Sequence, residues 1–248
     1  MSNNQRTQGS EQTPGVPARS ADALDGANRR ELIPLAVLLI VAGLALLFIL
    51  LAGEVLHGDT TTFDRAILMA TRDPANPSQP LGSPTVQNVA RDITASGGVA
   101  LLTFITPAVV VYLLLIGRQR VALYVIVAIG GGAIISYVLK TAINRPRPEL
   151  FQHLAYVTTA SFPSGHSMLS ATTYLTLGAL LANLQKNRRV KAYLIGLAIF
   201  ITIAVGLSRI YLAVHWPTDV LAGWTAGASW ALVCGFVAYS AKRRTHIE

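Results

Sequence analysis

An uninterrupted apolar segment near the N-terminus decides the class of this chain. It lies at Pro34–Gly53 and reads PLAVLLIVAGLALLFILLAG, with no charged side chain. A helix of this length rises about 1.5 Å per residue and matches the hydrocarbon core of a bilayer, which is roughly 30 Å thick. The segment is longer than the apolar core of a cleavable signal peptide, which has about 7–15 residues. It therefore predicts a membrane-spanning helix that stays attached.

The rest of the chain has the same character. Of its 248 residues 52% are hydrophobic and 13% charged, with a mean hydropathy of +0.49, whereas soluble proteins are about 25% charged. The single cysteine, Cys234, excludes an internal disulfide. Five further apolar segments follow, at Val99–Ile116, Val121–Leu139, Ser167–Leu184, Ala192–Leu207 and Val220–Tyr239. We expect an all-α integral membrane protein, a six-transmembrane-helix bundle with both termini on one side.

The polar segments complete the predicted domain layout. Residues 1–33 are rich in Ser, Gln, Gly and Pro, which predicts a disordered cytoplasmic tail. Residues 34–240 form the six-span domain, and 241–248 form a basic cytoplasmic tail. Residues 54–98 are expected to cover the outer face, with interfacial helices near Thr60–Arg72 and Thr85–Ser96 and a proline-rich loop between them.

The distribution of charge sets the orientation. The chain carries 20 Lys and Arg against 12 Asp and Glu, a formal charge of +8. No groove-reading motif accompanies this charge, so nucleic acid is not an expected partner. With six spans, thirteen of the cations fall on the side of the termini and seven on the other. The positive-inside rule therefore places both termini in the cytoplasm.

Polar residues that are costly at membrane depth gather on the opposite, outer face. They lie at the ends of the third and fifth spans and at the starts of the fourth and sixth: Lys140, Arg147, His166, Arg209, His215 and Asp219. Three cations and two imidazoles on one face suit a multiply charged anion, and phosphate is the natural candidate. Ser164 and Gly165 come directly before the fourth span, where the amides of a helix N-terminus also favour an anion.

The spacing of these residues resembles the three-part signature of the type 2 phosphatidic acid phosphatase family. The three parts are Lys140-x6-Arg147-Pro148, Pro163-Ser164-Gly165-His166 and Ser208-Arg209-x5-His215-x3-Asp219. All three are complete, in order and at the predicted helix ends. A second Arg-Pro pair begins at Arg145, but the family spacing selects Arg147, so Arg145 lies outside the core set and is expected to be a supporting or headgroup contact.

The resemblance implies a role for each residue. His215 is the nucleophile and forms a phosphohistidine, Asp219 orients its ring, and His166 protonates the leaving group and later activates water. The phosphoryl oxygens are held by Lys140, Arg147, Arg209, the Ser164 hydroxyl and the amides of Ser164 and Gly165. No cofactor is expected, because three fixed cations neutralise the phosphate; two histidines and a carboxylate leave zinc as a weaker alternative.

The expected activity is hydrolysis of a lipid phosphate monoester or diphosphate at the non-cytoplasmic face. Phosphatidate, lysophosphatidate, phosphatidylglycerol phosphate and undecaprenyl diphosphate all fit, and the sequence does not separate them. The six spans disfavour the soluble acid phosphatases and haloperoxidases that share the signature. A lipid phosphotransferase, a non-catalytic lipid-headgroup-binding protein and a transporter remain as alternatives. In a bacterium the protein would be a multi-pass protein of the plasma (inner) membrane, with its site facing the periplasm or exterior; the sequence does not indicate an oligomeric state.

Overall fold

The computed structural model describes residues 18–148 and 159–244. Apart from an isolated β-bridge between Arg72 and Pro80, the regular elements in these residues are helices. They are α1 (Ala18–His57), α2 (Thr61–Ala70), α3 (Pro84–Ala95), α4 (Val99–Leu115), α5 (Gln119–Ile143), α6 (Gly165–Leu184), α7 (Arg188–Tyr211) and α8 (Pro217–Arg244). The chain divides into a unit up to Leu38 and a unit from Leu39 onward, and the candidate site lies wholly in the second.

Helix α6 is the centre of the second unit, because it packs against α5, α7 and α8. Its buried positions carry small and hydroxyl-bearing residues, which allow close helix approach. Two of these hydroxyls are buried and donate to backbone carbonyl oxygens. Ser170 donates to Ser167 at 3.1 Å, and Thr172 donates to Gly227 of α8 at 3.3 Å. This packing holds the N-terminus of α6, and the polar signature before it, in one place.

The contact between α6 and α8 is especially close at the end that carries the signature. A Cβ atom on Gly223 of α8 would lie 2.7 Å from the carbonyl oxygen of Ser164. Only glycine permits this approach. The second half of α1 covers the same end, where Phe48, Leu51 and Val55 pack around Phe162.

The predicted apolar segments correspond to α1, α4, α5, α6, α7 and α8. Four segments are long and apolar enough to cross a membrane: Pro34–His57, Gln119–Ile143, Arg188–Tyr211 and Pro217–Lys242. A fifth arises if α3 and α4, which meet at a bend of 41°, are taken as one span. Helix α6 is not among them, since its hydroxyl-bearing residues lower its hydropathy. The protein is therefore an all-helical, multi-pass membrane protein, and a sixth span stays a prediction.

The helices of the outer segment, residues 54–98, lie where the sequence pattern predicts them. The helices predicted near Thr60–Arg72 and Thr85–Ser96 are α2 and α3, and the proline-rich segment between them has no helix. The expectation that residues 54–98 only cover the outer face is too narrow, because α2 and α3 each send a buried polar side chain into the site described below.

The termini differ from the sequence-based expectation. Residues 18–33 are helical rather than part of a disordered tail, since their alanine, arginine and leucine content favours helix and the apolar helix that follows extends backward through them. Residues 1–17 of that tail lie outside the described residues. At the other end α8 continues to Arg244, so the first part of the predicted basic tail is also helical, and residues 245–248 are not described.

Candidate active site

His215 is the centre of the candidate site and lies in the short connection between α7 and α8. Its side chain is buried, and its two ring nitrogens face groups of opposite charge. Nδ1 lies 3.4 Å from Oδ2 of Asp219, one helical turn later. Nε2 lies 3.1 Å from Nη1 of Arg147. The carboxylate favours the tautomer with the proton on Nδ1, which leaves the Nε2 lone pair directed toward the arginine.

Asp219 is fully buried in the first turn of α8, and both of its oxygens accept hydrogen bonds. Oδ2 accepts from the Ser161 hydroxyl and, at 2.9 Å, from the backbone N–H of Trp216. Oδ1 accepts from Nη1 of Arg145 at 2.7 Å. The orientation of this carboxylate is therefore set on three sides besides the imidazole.

Backbone carbonyls orient two of the side chains that are predicted to bind phosphate. Arg147 donates through Nε to the carbonyl oxygen of Thr159 at 2.8 Å and through Nη1 to that of Val214 at 2.5 Å. Lys140 donates through Nζ to the carbonyl oxygen of Ala160 at 2.6 Å. Because such neutral acceptors leave the positive charges uncompensated, both side chains stay attractive to an anion.

The N-terminus of α6 begins beside these cations. The Ser164 hydroxyl accepts from the N–H and the hydroxyl of Ser167, at 3.4 and 3.0 Å, and so caps the helix. The Ser164 N–H donates to the carbonyl oxygen of Asp219 at 2.9 Å. Of the two groups expected to bind phosphate, the Ser164 amide joins α6 to α8 and the hydroxyl caps α6. A Cβ on Gly165 would lie 3.3 Å from Cε of Lys140, so glycine makes room for that lysine.

Arg209, near the end of α7, is 3% exposed. Its Nη1 donates to the Thr94 hydroxyl of α3 at 3.1 Å. Its Nε is buried and has no hydrogen-bond partner within residues 18–148 and 159–244. A buried guanidinium donor without an acceptor is costly, and a phosphoryl oxygen would satisfy it.

The predicted site residues lie close enough together to shift one another's pKa. Burial, and after it the charges of Arg147, Arg209, Lys140 and His166, hold the pKa of His215 well below its ordinary value of 6.5. Burial also lowers the pKa of Arg147, although Asp219 opposes this effect. His166 itself is half-buried in the first turn of α6. The imidazole of His215 is therefore neutral at physiological pH and retains its lone pair.

Sequence reasoning missed three residues with direct contacts to the signature. Asp64 of α2 and Ser161 are fully buried, and Thr94 of α3 is nearly so. Arg145, left outside the core set, contacts both Asp219 and Asp64. The repeated Arg-Pro pair marks Arg145 in the sequence as a candidate site residue. A single Asp or Thr in a separate amphipathic helix has no such mark.

Comparison with known proteins agrees with this geometry. A model of the PAP2 superfamily matches residues 121–243. Phosphatidylglycerophosphatase B of Bacillus subtilis is 30% identical over 191 residues, which make up 74% of this chain and 87% of that protein. An undecaprenyl-diphosphatase of Sulfolobus acidocaldarius is 29% identical over 129 residues, or 50% of this chain and 58% of that protein.

A solved structure is similar over most of the chain. It is the crystal structure of a transmembrane PAP2-type phosphatidylglycerolphosphate phosphatase from Bacillus subtilis, with a TM-score of 0.72 and 27% identity. The match covers 82% of this chain and 96% of that one. Together with the buried histidine, its carboxylate and the surrounding cations, these likenesses show that the chain belongs to the PAP2 superfamily and is a phosphatase.

Proposed function

We propose that the protein hydrolyses a lipid phosphate ester or diphosphate through a phosphohistidine on His215. The observation that carries this proposal is the placement of one neutral imidazole between Asp219 at Nδ1 and Arg147 at Nε2. Asp219 supports the positive charge that the ring acquires on phosphorylation, and Arg147 is placed to accompany the phosphoryl group.

The reaction has two steps. The Nε2 lone pair of His215 attacks phosphorus, the bond from phosphorus to the leaving oxygen breaks, and His166 gives its proton to that oxygen. The leaving group is an alcohol from a monoester or a phosphate from a diphosphate. His166, now neutral, takes a proton from water; the resulting hydroxide attacks phosphorus, the P–N bond breaks, and inorganic phosphate leaves with His215 restored.

The charges of the site suit a dianionic phosphate. Lys140, Arg147 and Arg209 contribute three positive charges, while Arg145 is shared between the two buried carboxylates of Asp64 and Asp219. With His215 neutral and His166 carrying the proton that the first step transfers, the set has a net charge of +3. The N-terminus of α6, at Ser164 and Gly165, adds the positive end of a helix dipole. Fixed cations supply the neutralisation that a metal ion provides in other phosphatases, so we expect activity without one.

A lipid substrate is supported by the relatives and by the membrane helices around the site. One relative is named for phosphatidylglycerophosphate and another for undecaprenyl diphosphate. The relative covered more completely is the phosphatidylglycerophosphatase, which makes phosphatidylglycerol phosphate the first substrate to test. Phosphatidate and undecaprenyl diphosphate have the same reacting group and are the alternatives.

The proposed topology has six spans, α1 and α4 to α8, with the termini in the cytoplasm and the site at the outer surface of the plasma membrane. Its support is the cluster of cations in the connections between α4 and α5 and between α6 and α7. The headgroup would enter from the outer surface while the acyl or prenyl chain stays in lipid.

Phosphate release in detergent tests the activity. We expect release from phosphatidylglycerol phosphate, phosphatidate or undecaprenyl diphosphate that is insensitive to chelator and falls by about a thousandfold or more in His215→Ala, because the nucleophile is lost. His57→Ala, which removes an exposed histidine, is the matched control and should match wild type. Full activity in His215→Ala would contradict the mechanism, and loss with chelator restored by zinc would contradict metal independence.

The state of His215 can be followed by nitrogen NMR of histidine-labelled protein. Since the pKa of His215 is lowered, the ring stays neutral as the pH falls. Its nitrogen chemical shifts should therefore not change between about pH 7.5 and 5.5. His215→Asn assigns the signal, and the denatured protein provides a titrating control. A midpoint near 6.5 for the folded protein would refute the neutral nucleophile.

Cysteine labelling tests the topology. In a Cys234→Ser background, Asp59→Cys lies between α1 and α2, and Gln119→Cys lies at the start of α5, both at exposed positions. In intact bacterial cells an impermeant maleimide should label Asp59→Cys at once and Gln119→Cys only after permeabilisation. Equal labelling of both, or the reverse order, would contradict the six-span arrangement.

A further inference from the structure

Helix α2 places a buried carboxylate next to the residues that hold Asp219. Asp64 lies in the first turn of α2, where an acidic residue ordinarily faces water near the helix N-terminus. Its side chain is instead fully buried. Burial of a carboxylate is costly unless hydrogen bonds and a counter-charge compensate for the lost water. The partners that compensate it all lie toward the site.

Those partners are Thr218 and Arg145. Oδ1 of Asp64 accepts from the backbone N–H of Thr218 at 2.9 Å, and Oδ2 accepts from the Thr218 hydroxyl at 2.7 Å. Oδ2 also accepts from Nη2 of Arg145 at 2.8 Å. Asp64 therefore supplies a side-chain acceptor for the first turn of α8 from a different helix, directly beside Asp219.

Arg145 connects Asp64 to the proposed catalytic carboxylate. Its Nη2 bonds Asp64 and, at 3.0 Å, the Thr60 hydroxyl, while its Nη1 donates to Oδ1 of Asp219 at 2.7 Å and to the Thr218 hydroxyl at 2.8 Å. The planar fork of an arginine suits such a bridge between two acceptors. A continuous series of contacts thus leads from Asp64 through Arg145 and Asp219 to Nδ1 of His215.

We propose that Asp64 is a positioning residue of the phosphatase site, which acts on His215 through Arg145 and Asp219. This inference rests on the proposed function. Asp64 lies outside the segment matched by the family model, residues 121–243, so the supporting residue comes from α2, a helix of the outer segment.

The bridge has a consequence for charge as well as for geometry. With Asp64 present, one guanidinium is shared by two carboxylates, and the three groups together keep one negative charge next to His215. Without it, Arg145 would neutralise Asp219 alone. The negative charge that supports the phosphorylated, positively charged ring would then be lost, although the cations that bind the phosphate are untouched. The effect should therefore fall on kcat rather than on KM.

The test compares Asp64→Asn with wild type, using steady-state kinetics and thermal unfolding of the same detergent-purified samples. Asparagine keeps the shape of the side chain and removes its charge. We expect kcat to fall by about 10-fold to 100-fold, the range known for outer-shell partners of functional histidines, with KM nearly unchanged. Asp59→Asn, an exposed aspartate in the turn before α2, is the matched control and should retain wild-type kcat.

A second pair of variants keeps the test decisive if Asp64→Asn does not fold. Thr218→Val removes the hydroxyl that joins Asp64 to Arg145, and Thr218→Ser keeps it. Thr218→Val should lower kcat several-fold, and Thr218→Ser should restore it. Wild-type kcat per folded enzyme in Asp64→Asn, or equal kcat in the valine and serine variants, would overturn the positioning role and leave Asp64 as a structural contact.

Wild type and His215→Ala in the same assay separate the two proposals. If wild type is active, His215→Ala is inactive and Asp64→Asn equals wild type, the positioning role fails while the proposed function stands. If His215→Ala is as active as wild type, the proposed mechanism itself fails, and the positioning role fails with it.

Discussion

The contact between Arg145 and Asp219 is the interaction on which the geometry of the site depends. A carboxylate that is fully buried next to membrane-spanning helices would ordinarily lose its charge. Arg145 supplies a counter-charge to Asp219 at 2.7 Å, and Ser161 and the Trp216 backbone donate to the other oxygen. The fixed carboxylate in turn favours the His215 tautomer with the proton on Nδ1. The role proposed for Nε2 depends on this orientation.

The same buried environment brings together cations that repel one another. Within the part of the chain that the structure describes, Lys140, Arg147 and Arg209 contact backbone carbonyls or a hydroxyl rather than carboxylates. Neutral acceptors orient these side chains without cancelling their charge, so the repulsion remains until an anion binds. The Nε of Arg209, which has no hydrogen-bond partner among the described residues, is the clearest sign of this incomplete state. On the proposed function, a site arranged in this way should prefer a dianionic phosphate group to a neutral headgroup.

Much of this could be predicted from sequence because the signals are local. The apolar segments predict the long helices. The spacing from Lys140 to Arg147, at the end of α5, and from His215 to Asp219, at the start of α8, predicts pairs of residues that lie close together at a helix end. Asp64 and Thr94 could not be predicted, since their partners Arg145 and Arg209 are far away in sequence and the contacts exist only after the helices pack. Ser164 shows the converse limit: its position in the signature predicts phosphate binding but gives no sign that its amide joins α6 to α8 and that its hydroxyl caps α6. The polar composition of residues 18–33 gives no sign of the helix that continues from the apolar segment.

The central claim is that the phosphoryl group passes through His215, and trapping that intermediate tests it most directly. In a His166→Ala variant, a phosphate ester with a good leaving group still phosphorylates the enzyme, but water is no longer activated and the phosphoenzyme accumulates. The account predicts an acid-labile, base-stable phosphate on His215, seen by mass spectrometry after rapid quenching, and none in the variant that also carries His215→Ala. Hydrolysis by the active enzyme without a phosphoenzyme under these conditions, or the label on another residue, would contradict it.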